Sequence, residues 1–440
     1  MEDSAQSYSL YLPDHYHDSI LWPVIYIFEP AARADLPVTK YAPLARQYGY
    51  ILACSWNSRN GPWDIIINAA NAMIPDTWQR FSVDTQRVFT MGFSGGARAA
   101  CTMAMATGRI DGVIGCGAGF PTSVTPQPHH DFNWIGITGY EDPNYLEMLK
   151  VDDALSQPGI RHNLLFFDGN HEWPPEEVME TAFQWIDMIR KGESGTKSKT
   201  LSVSEITGKL QGFNIYPPGV SPDPFLAYHR MAGIRAFFPE SPESDSITQK
   251  MDSLINTGSF RQRKTAYETG LKYEEEKQKE YLEELLHIGL LSLDPDHDVR
   301  SSNWWQRQFN QLSGDDKDSS HRRLIDRRLA GFIQINAWEQ SAEYEALEMY
   351  DIAIRYMSIC EMALPEQYWP IVKLFDLYIQ AGKENKAFKK LDRAIEMGFS
   401  NTAYLRKQGY FNRIMTDKRF NELIQQMENN EKAATPNEWN

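Results

Sequence analysis

The stretch Arg87-Val-Phe-Thr-Met-Gly-Phe-Ser-Gly-Gly-Ala-Arg-Ala-Ala100 decides how this chain is read. Val88-Phe-Thr-Met91 has the composition of a buried strand, and the Ala-rich residues from Gly95 onward favour a helix. Between them, Gly92-Phe93-Ser94-Gly95-Gly96 matches G-x-S-x-G, a sharp strand-to-helix turn. The glycines have a steric reason, because such a turn is strained and brings helix and strand close together. The turn lifts Ser94 Oγ clear of the sheet at a helix N-terminus, where the Gly95 N–H can stabilise an oxyanion. Ser94 is the candidate nucleophile.

On either side of this turn the sequence alternates strands and helices. Ser7–Leu12 alternates and stops at Pro13, which suits an edge strand, and Pro23–Phe28 is a continuous apolar run, as in a strand buried on both faces. Further strands are expected at 50–55, 87–91, 112–116, 132–138 and 163–167. Helices are expected at 38–48, 63–81, 95–106, 146–155 and 175–189. Alternation with short connections means an α/β domain with a mainly parallel sheet, whose sites lie at the carboxyl ends of the strands.

A nucleophilic serine needs a base, and the base an orienting acid. Strand 132–138 runs into Gly139-Tyr-Glu-Asp142-Pro143, which offers a carboxylate. Strand 163–167 runs into Asp168-Gly-Asn-His171-Glu-Trp173, which offers an imidazole. The order is serine, acid, histidine. His171 is the candidate base and Asp142 the candidate acid, with Glu141 and Asp168 as competitors.

Together, Gly92-Phe-Ser-Gly-Gly96, Gly139-Tyr-Glu-Asp142 and Phe167-Asp-Gly-Asn-His171-Glu-Trp resemble the α/β-hydrolase superfamily. The resemblance is to its polyhydroxybutyrate depolymerase-like, feruloyl-esterase-like and dienelactone-hydrolase-like branch, and covers residues 7–191. It implies Ser94, Asp142 and His171 as nucleophile, acid and base. One departure stands out. That branch commonly carries His-Gly after the strand supplying the second oxyanion donor, whereas here the strand ends Phe28-Glu29-Pro30-Ala31. Pro30 has no N–H to give, so the expected donors are Glu29 or Ala31 beside Gly95.

Other groupings have plainer readings. His15/His17 and His129-His130-Asp131 lack zinc-site spacing and read as surface or loop histidines, so no metal site is expected. Ser58-Arg59-Asn60-Gly61-Pro62-Trp63 follows a strand end, so Arg59 and Asn60 are candidate substrate contacts, with a plain Asn-Gly turn as the alternative. Trp173 either walls the pocket or packs the last helix. Cys54, Cys101, Cys116 and Cys360 have no metal spacing and are too few for a disulfide framework, so buried thiols are expected.

Charge divides the chain. Residues 1–192 hold 12 Lys+Arg and 22 Asp+Glu, about 18% charged; residues 193–440 hold 32 and 37, about 28% charged. The expected domains are therefore 1–192, an α/β-hydrolase domain, and 193–440, a helical domain joined through the polar stretch 191–200. In the second region helices are expected at 223–238, 265–291 and 322–338, the last continuing to 363 with a break. Tyr378, Gly382, Ala387, Leu391, Ala394 and Gly398 are spaced as in a tetratricopeptide repeat, expected within 341–428; an ordinary helical bundle is the alternative. Further helices are expected at 402–412 and 417–427, with a frayed tail after 428.

The net charge of −15, of which −10 falls on the first region, disfavours nucleic acid as a partner. No apolar run is long enough to span a membrane. Met1 is followed by Glu-Asp-Ser, with no apolar leader, which fits either a cytosolic chain or an exported one whose leader was removed. The expected function is a carboxylic ester hydrolase acting on a small-molecule or glycan-linked ester, without a cofactor, with a protein partner as a possible ligand of the helical domain. A serine peptidase and an inactive hydrolase-fold scaffold are the alternatives.

Overall fold

The computed structural model describes residues 3–121, 124, 126–156, 160–194, 224–237, 242–313 and 320–434. Two compact units are present, Met1–Leu271 and Lys272–Asn440.

The first unit is built on a seven-stranded sheet of order β1-β3-β2-β4-β5-β6-β7. Its strands are β1 Tyr8–Tyr11, β2 Trp22–Phe28, β3 Ile51–Ser55, β4 Val83–Phe93, β5 Gly112–Cys116, β6 Asn133–Gly139 and β7 His162–Phe167. Every pairing is parallel except the edge pair β1–β3, so the expected mainly parallel sheet is present. β2 is buried along its whole length, as its unbroken apolar run requires, while the alternating edge strand β1 is half-buried. β4 begins at Val83, four residues before the expected start at 87. The polar residues Asp84-Thr-Gln-Arg87 lie where the register with β2 shifts between Trp22 and Val24, and an irregular pairing carries no alternation to read.

The crossover helices are α1 Asp35–Tyr48, α2 Trp63–Arg80, α3 Gly95–Thr107, α4 Tyr145–Ser156 and α5 Glu176–Ser194. The apolar faces of α1 and α5 and of the strands form a core around Ile25, Ile27, Tyr41, Phe89, Met91, Phe183 and Trp185, and Met73 of α2, Cys101 of α3 and Met148 of α4 are buried as well. The stretch 191–200 enters α5 as far as Ser194, and its remainder lies outside the described residues. The strands end before the expected boundary at residue 192, but the compact unit does not. Two more helices, α6 Pro224–Phe237 and α7 Pro242–Ile255, add Ile247 and Met251 to the same core, with Tyr228 and Met231 packed against it. Helix α8, Gly258–Leu290, begins in this unit, where Tyr267 Oη lies 2.8 Å from Tyr145 Oη.

The second unit is helical, with α9 Ser302–Leu312, α10 Ser320–Ala346, α11 Tyr350–Ala363, α12 Trp369–Gln380, α13 Glu384–Glu396, α14 Thr402–Arg406, α15 Phe411–Ile414 and α16 Lys418–Ala434. The expected break in the 322–363 stretch falls after Ala346, where Glu348 takes φ +58°. Ala387, Leu391 and Ala394 are fully buried, and Gly382 and Gly398 end their helices at φ +71° and +100°. The single helix expected over 402–412 is two short ones. Tyr404, in the first, and Tyr410, just before the second, both donate to the buried Asp376 carboxylate, which holds the chain bent there. The last helix continues past 428 to Ala434.

All four cysteines are free and buried, and burial raises each thiol above its ordinary range, Cys101 to about 12. Among the described residues no helix is long and apolar enough to cross a membrane.

Candidate active site

Three strand ends meet at Ser94. The turn between β4 and α3 puts Ser94 at φ +54°, ψ −123°, a conformation unfavourable for any residue with a Cβ. The surrounding backbone holds it there. Ser94 N–H donates to Cys116 O of β5 at 2.8 Å, and α3 packs so closely that side chains are excluded beneath it. A methyl group on Gly92 would lie 2.1 Å from Gly96 O, and one on Gly96 2.0 Å from Phe28 O. The flanking glycines of the motif are therefore steric requirements.

His171 Nε2 lies 2.9 Å from Ser94 Oγ, and His171 Nδ1 lies 2.9 Å from Asp142 Oδ1. An ionised carboxylate only accepts, so Nδ1 carries the proton and Nε2 is left to accept from the serine hydroxyl. Asp142 is 1% exposed, while the imidazole is 16% exposed. The loops carrying Asp142 and His171 are laced together: Tyr140 N–H donates to Phe167 O and Glu141 N–H to Gly169 O, both at 3.0 Å. The imidazole lies against Phe93, ring centroids 4.6 Å apart, and Phe93 against Trp173 at 5.5 Å. Of the competing carboxylates, Glu141 is half-buried and Asp168 exposed, and the His171 Nδ1 bond goes to Asp142.

Two supporting residues escaped the sequence reading. Asn144 N–H donates to Asp142 Oδ1 at 2.8 Å, and its Nδ2 donates to Gly117 O at 2.7 Å. The signal for it was local, since Asp-Pro-Asn is a turn in which the aspartate side chain accepts from the backbone two residues on. Glu147 takes the Arg98 guanidinium of α3 at 2.6 Å and the Gly119 N–H at 3.2 Å. Partners 49 residues apart leave no local trace.

The segment after β2 departs from the expectation. Glu29 is fully buried, and its carboxylate is turned onto its own loop. Oε2 accepts the Ala31 N–H at 2.7 Å and the Arg33 N–H at 2.9 Å, while Oε1 accepts from Arg33 Nε at 3.0 Å and pairs with Nη2. Ala31, expected as a second oxyanion donor, thus has its N–H committed to Glu29. Arg59 and Asn60 are exposed and tied to this loop by an isolated bridge between Ala31 and Arg59 and by Asn60 N–H donating to Pro30 O at 2.8 Å. Trp173, expected near substrate, is 5% exposed and packs against Phe93 and Tyr41, which makes it a wall behind His171. The histidines set aside as loop residues make local contacts. His17 Nδ1 accepts the Ser19 N–H at 3.1 Å, and His130 Nδ1 accepts the Gln127 N–H at 2.8 Å.

No protein-family model matches the chain, and no curated protein matches it. Solved structures similar to it include an S-formylglutathione hydrolase from Agrobacterium tumefaciens (15% identity, 42% of this chain and 89% of that one, TM-score 0.36). Another is the S-formylglutathione hydrolase FrmB from Staphylococcus aureus (14% identity, 41% and 90%, TM-score 0.34). A third is a ferulic acid esterase (13% identity, 42% and 91%, TM-score 0.32).

Proposed function

We propose that the chain is a serine hydrolase that cleaves carboxylic esters through an acyl-enzyme. The observation that carries the reading is the hydrogen-bonded series from Asp142 through His171 to Ser94, both links 2.9 Å, ending on a serine held at positive φ. In this reading His171 Nε2 takes the Ser94 proton as Oγ attacks the ester carbonyl, and the charge that forms on the carbonyl oxygen faces the Gly95 N–H. As the tetrahedral intermediate collapses, His171 returns the proton to the departing alkoxide, which leaves as the alcohol. Water, deprotonated by the same imidazole, then attacks the acyl carbonyl, and the imidazolium returns that proton to Ser94 Oγ as the acid is released. Asp142 fixes the Nδ1–H tautomer and stabilises the imidazolium.

The choice of an ester, on a small molecule or a glycan, rests on the resemblance of the three motifs to esterase-type members of the fold. The helical unit is read as a tetratricopeptide-like platform for a protein partner, supported by the small residues Ala387 and Ala394 buried between helices and by the glycines closing α12 and α13. The test of the catalytic reading is turnover of p-nitrophenyl acyl esters by the full chain. Ser94→Ala is expected to lower kcat by about 10⁴-fold or more, the scale of losing a triad member. A loss under tenfold moves the nucleophile elsewhere.

A further inference from the structure

The loop after β2 has few backbone donors left to complete an oxyanion hole. Pro30 has no N–H, Ala31 and Arg33 donate to the Glu29 carboxylate, and Ala32 N–H donates to Glu29 O at 3.3 Å. A different group stands against Gly95. A methyl group placed on Gly95 would lie 1.9 Å from Asn60 Oδ1, 2.8 Å from its Cγ and 3.1 Å from its Nδ2, so the Asn60 carboxamide rests against the face of Gly95. That carboxamide makes no hydrogen bond to any described residue, although the loop bearing it is well anchored. Asn60 N–H is bonded to Pro30 O, Arg59 bridges Ala31, and Ser55 Oγ at the end of β3 accepts the N–H groups of Asn57 and Ser58 at 3.0 and 3.3 Å. An amide without a partner among the described residues, on a pinned backbone and against the residue whose N–H would meet the developing charge, has the form of a preorganised donor.

We infer that Asn60 Nδ2–H is the second oxyanion donor of this site, a side-chain amide taking the place of the backbone N–H that Glu29 engages. The inference rests on the serine hydrolase reading above. A half-turn of the carboxamide exchanges its oxygen and nitrogen, and the negative charge forming beside Gly95 selects the orientation that presents N–H. The substrate carbonyl oxygen is then held by one backbone and one side-chain donor. Because the contact tightens as the oxygen becomes an anion, it acts on kcat more than on KM.

The test compares wild type, Asn60→Ala and Asn60→Asp on a p-nitrophenyl ester, with labelling of Ser94 by a fluorophosphonate as a separate readout. Asn60 is exposed, so both variants are expected to fold. Asn60→Ala is expected to lose about 10²–10³-fold in kcat with KM changed less than threefold, the scale of removing one oxyanion donor. Asn60→Asp, the same shape carrying a negative charge and no donor, is expected to lose more. A trifluoromethyl ketone, which forms a tetrahedral adduct with the serine, is expected to bind Asn60→Ala weaker by the same factor as kcat/KM falls. If wild type is labelled at Ser94 and turns over ester while Asn60→Ala keeps kcat within threefold, the inference is overturned and the hydrolase reading stands. If wild type is neither labelled nor active, the hydrolase reading fails and takes this inference with it.

Discussion

Replacing Asp142 by asparagine separates the two things the carboxylate does. Asp142 Oδ1 accepts from both His171 Nδ1 and the Asn144 N–H, at 2.9 and 2.8 Å, and the residue is 1% exposed. In Asp142→Asn, the amide oxygen must face these two donors. The opposite orientation would set the side-chain NH₂ against the Asn144 N–H inside a buried site, at a cost of about 1–3 kcal/mol. The oxygen therefore stays toward His171, Nδ1 keeps its proton, and the tautomer that accepts from Ser94 survives. What is lost is the negative charge opposite the imidazolium. At a separation of about 4 Å and an effective dielectric of about 20, that charge is worth about 4 kcal/mol at most, so kcat is expected to fall about 10²–10³-fold. Asp142→Ala removes both charge and orientation, and is expected to reach about 10⁴-fold. The assay is steady-state ester hydrolysis, with Asp168→Asn as an exposed control expected within twofold of wild type. Asp142→Asn within threefold of wild type would refute Asp142 as the acid. Equal losses for Asn and Ala at about 10⁴-fold would refute the argument from Asn144.

Three further outcomes follow from packing and charge. Gly96→Ala, whose methyl would sit 2.0 Å from Phe28 O, is expected to abolish soluble folding, whereas Gly108→Ala, in open space at φ +57°, is expected to cost about 1 kcal/mol in urea unfolding. Arg328, 1% exposed, holds the fully buried Glu274 through two bonds of 2.7 and 2.6 Å, so Arg328→Ala is expected to destabilise the helical unit by about 3–5 kcal/mol in denaturant unfolding, with much of the loss recovered by pairing Arg328→Met with Glu274→Met. Burial pushes the Asp152 carboxyl up to about 6, with His162 at 3.7 Å opposing and Asp153 adding. A carboxyl raised on folding favours the native state below its unfolded value near 4, and that favour is lost as pH climbs to about 6. Asp152→Asn is therefore expected to raise the melting temperature relative to wild type more at pH 7.5 than at pH 4, and an equal effect at the two pH values contradicts the assignment.

The sheet was legible because its strands are buried on both faces, so Pro23–Phe28 and Gly112–Cys116 read as apolar runs without any knowledge of their neighbours. The residues that meet at Ser94 were legible for a related reason. Each lies just past a strand's end, and the order of strands in the chain fixes which loops come together. The loop after β2 was opaque. Nothing in Phe28-Glu-Pro-Ala-Ala-Arg33 announces that the glutamate folds back onto two N–H groups of its own loop, since that depends on Arg33 returning to pair with it. The extension of the first unit to Leu271 was hidden because α6 and α7 carry no strand and follow the polar stretch 191–200, and they are assigned to the first core only by side chains such as Ile247 and Met251. The break at 407–410 was equally unreadable, since Asp376 lies 28 residues before Tyr404.

The central claim is that Ser94 is an activated nucleophile. Treating the full chain with a fluorophosphonate across pH 6–9 and mapping the adduct by peptide mass spectrometry tests it directly. A single adduct on Ser94 is expected, lost in Ser94→Ala and slowed in His171→Ala. No adduct at any pH in that range, or one that persists in Ser94→Ala, would contradict it.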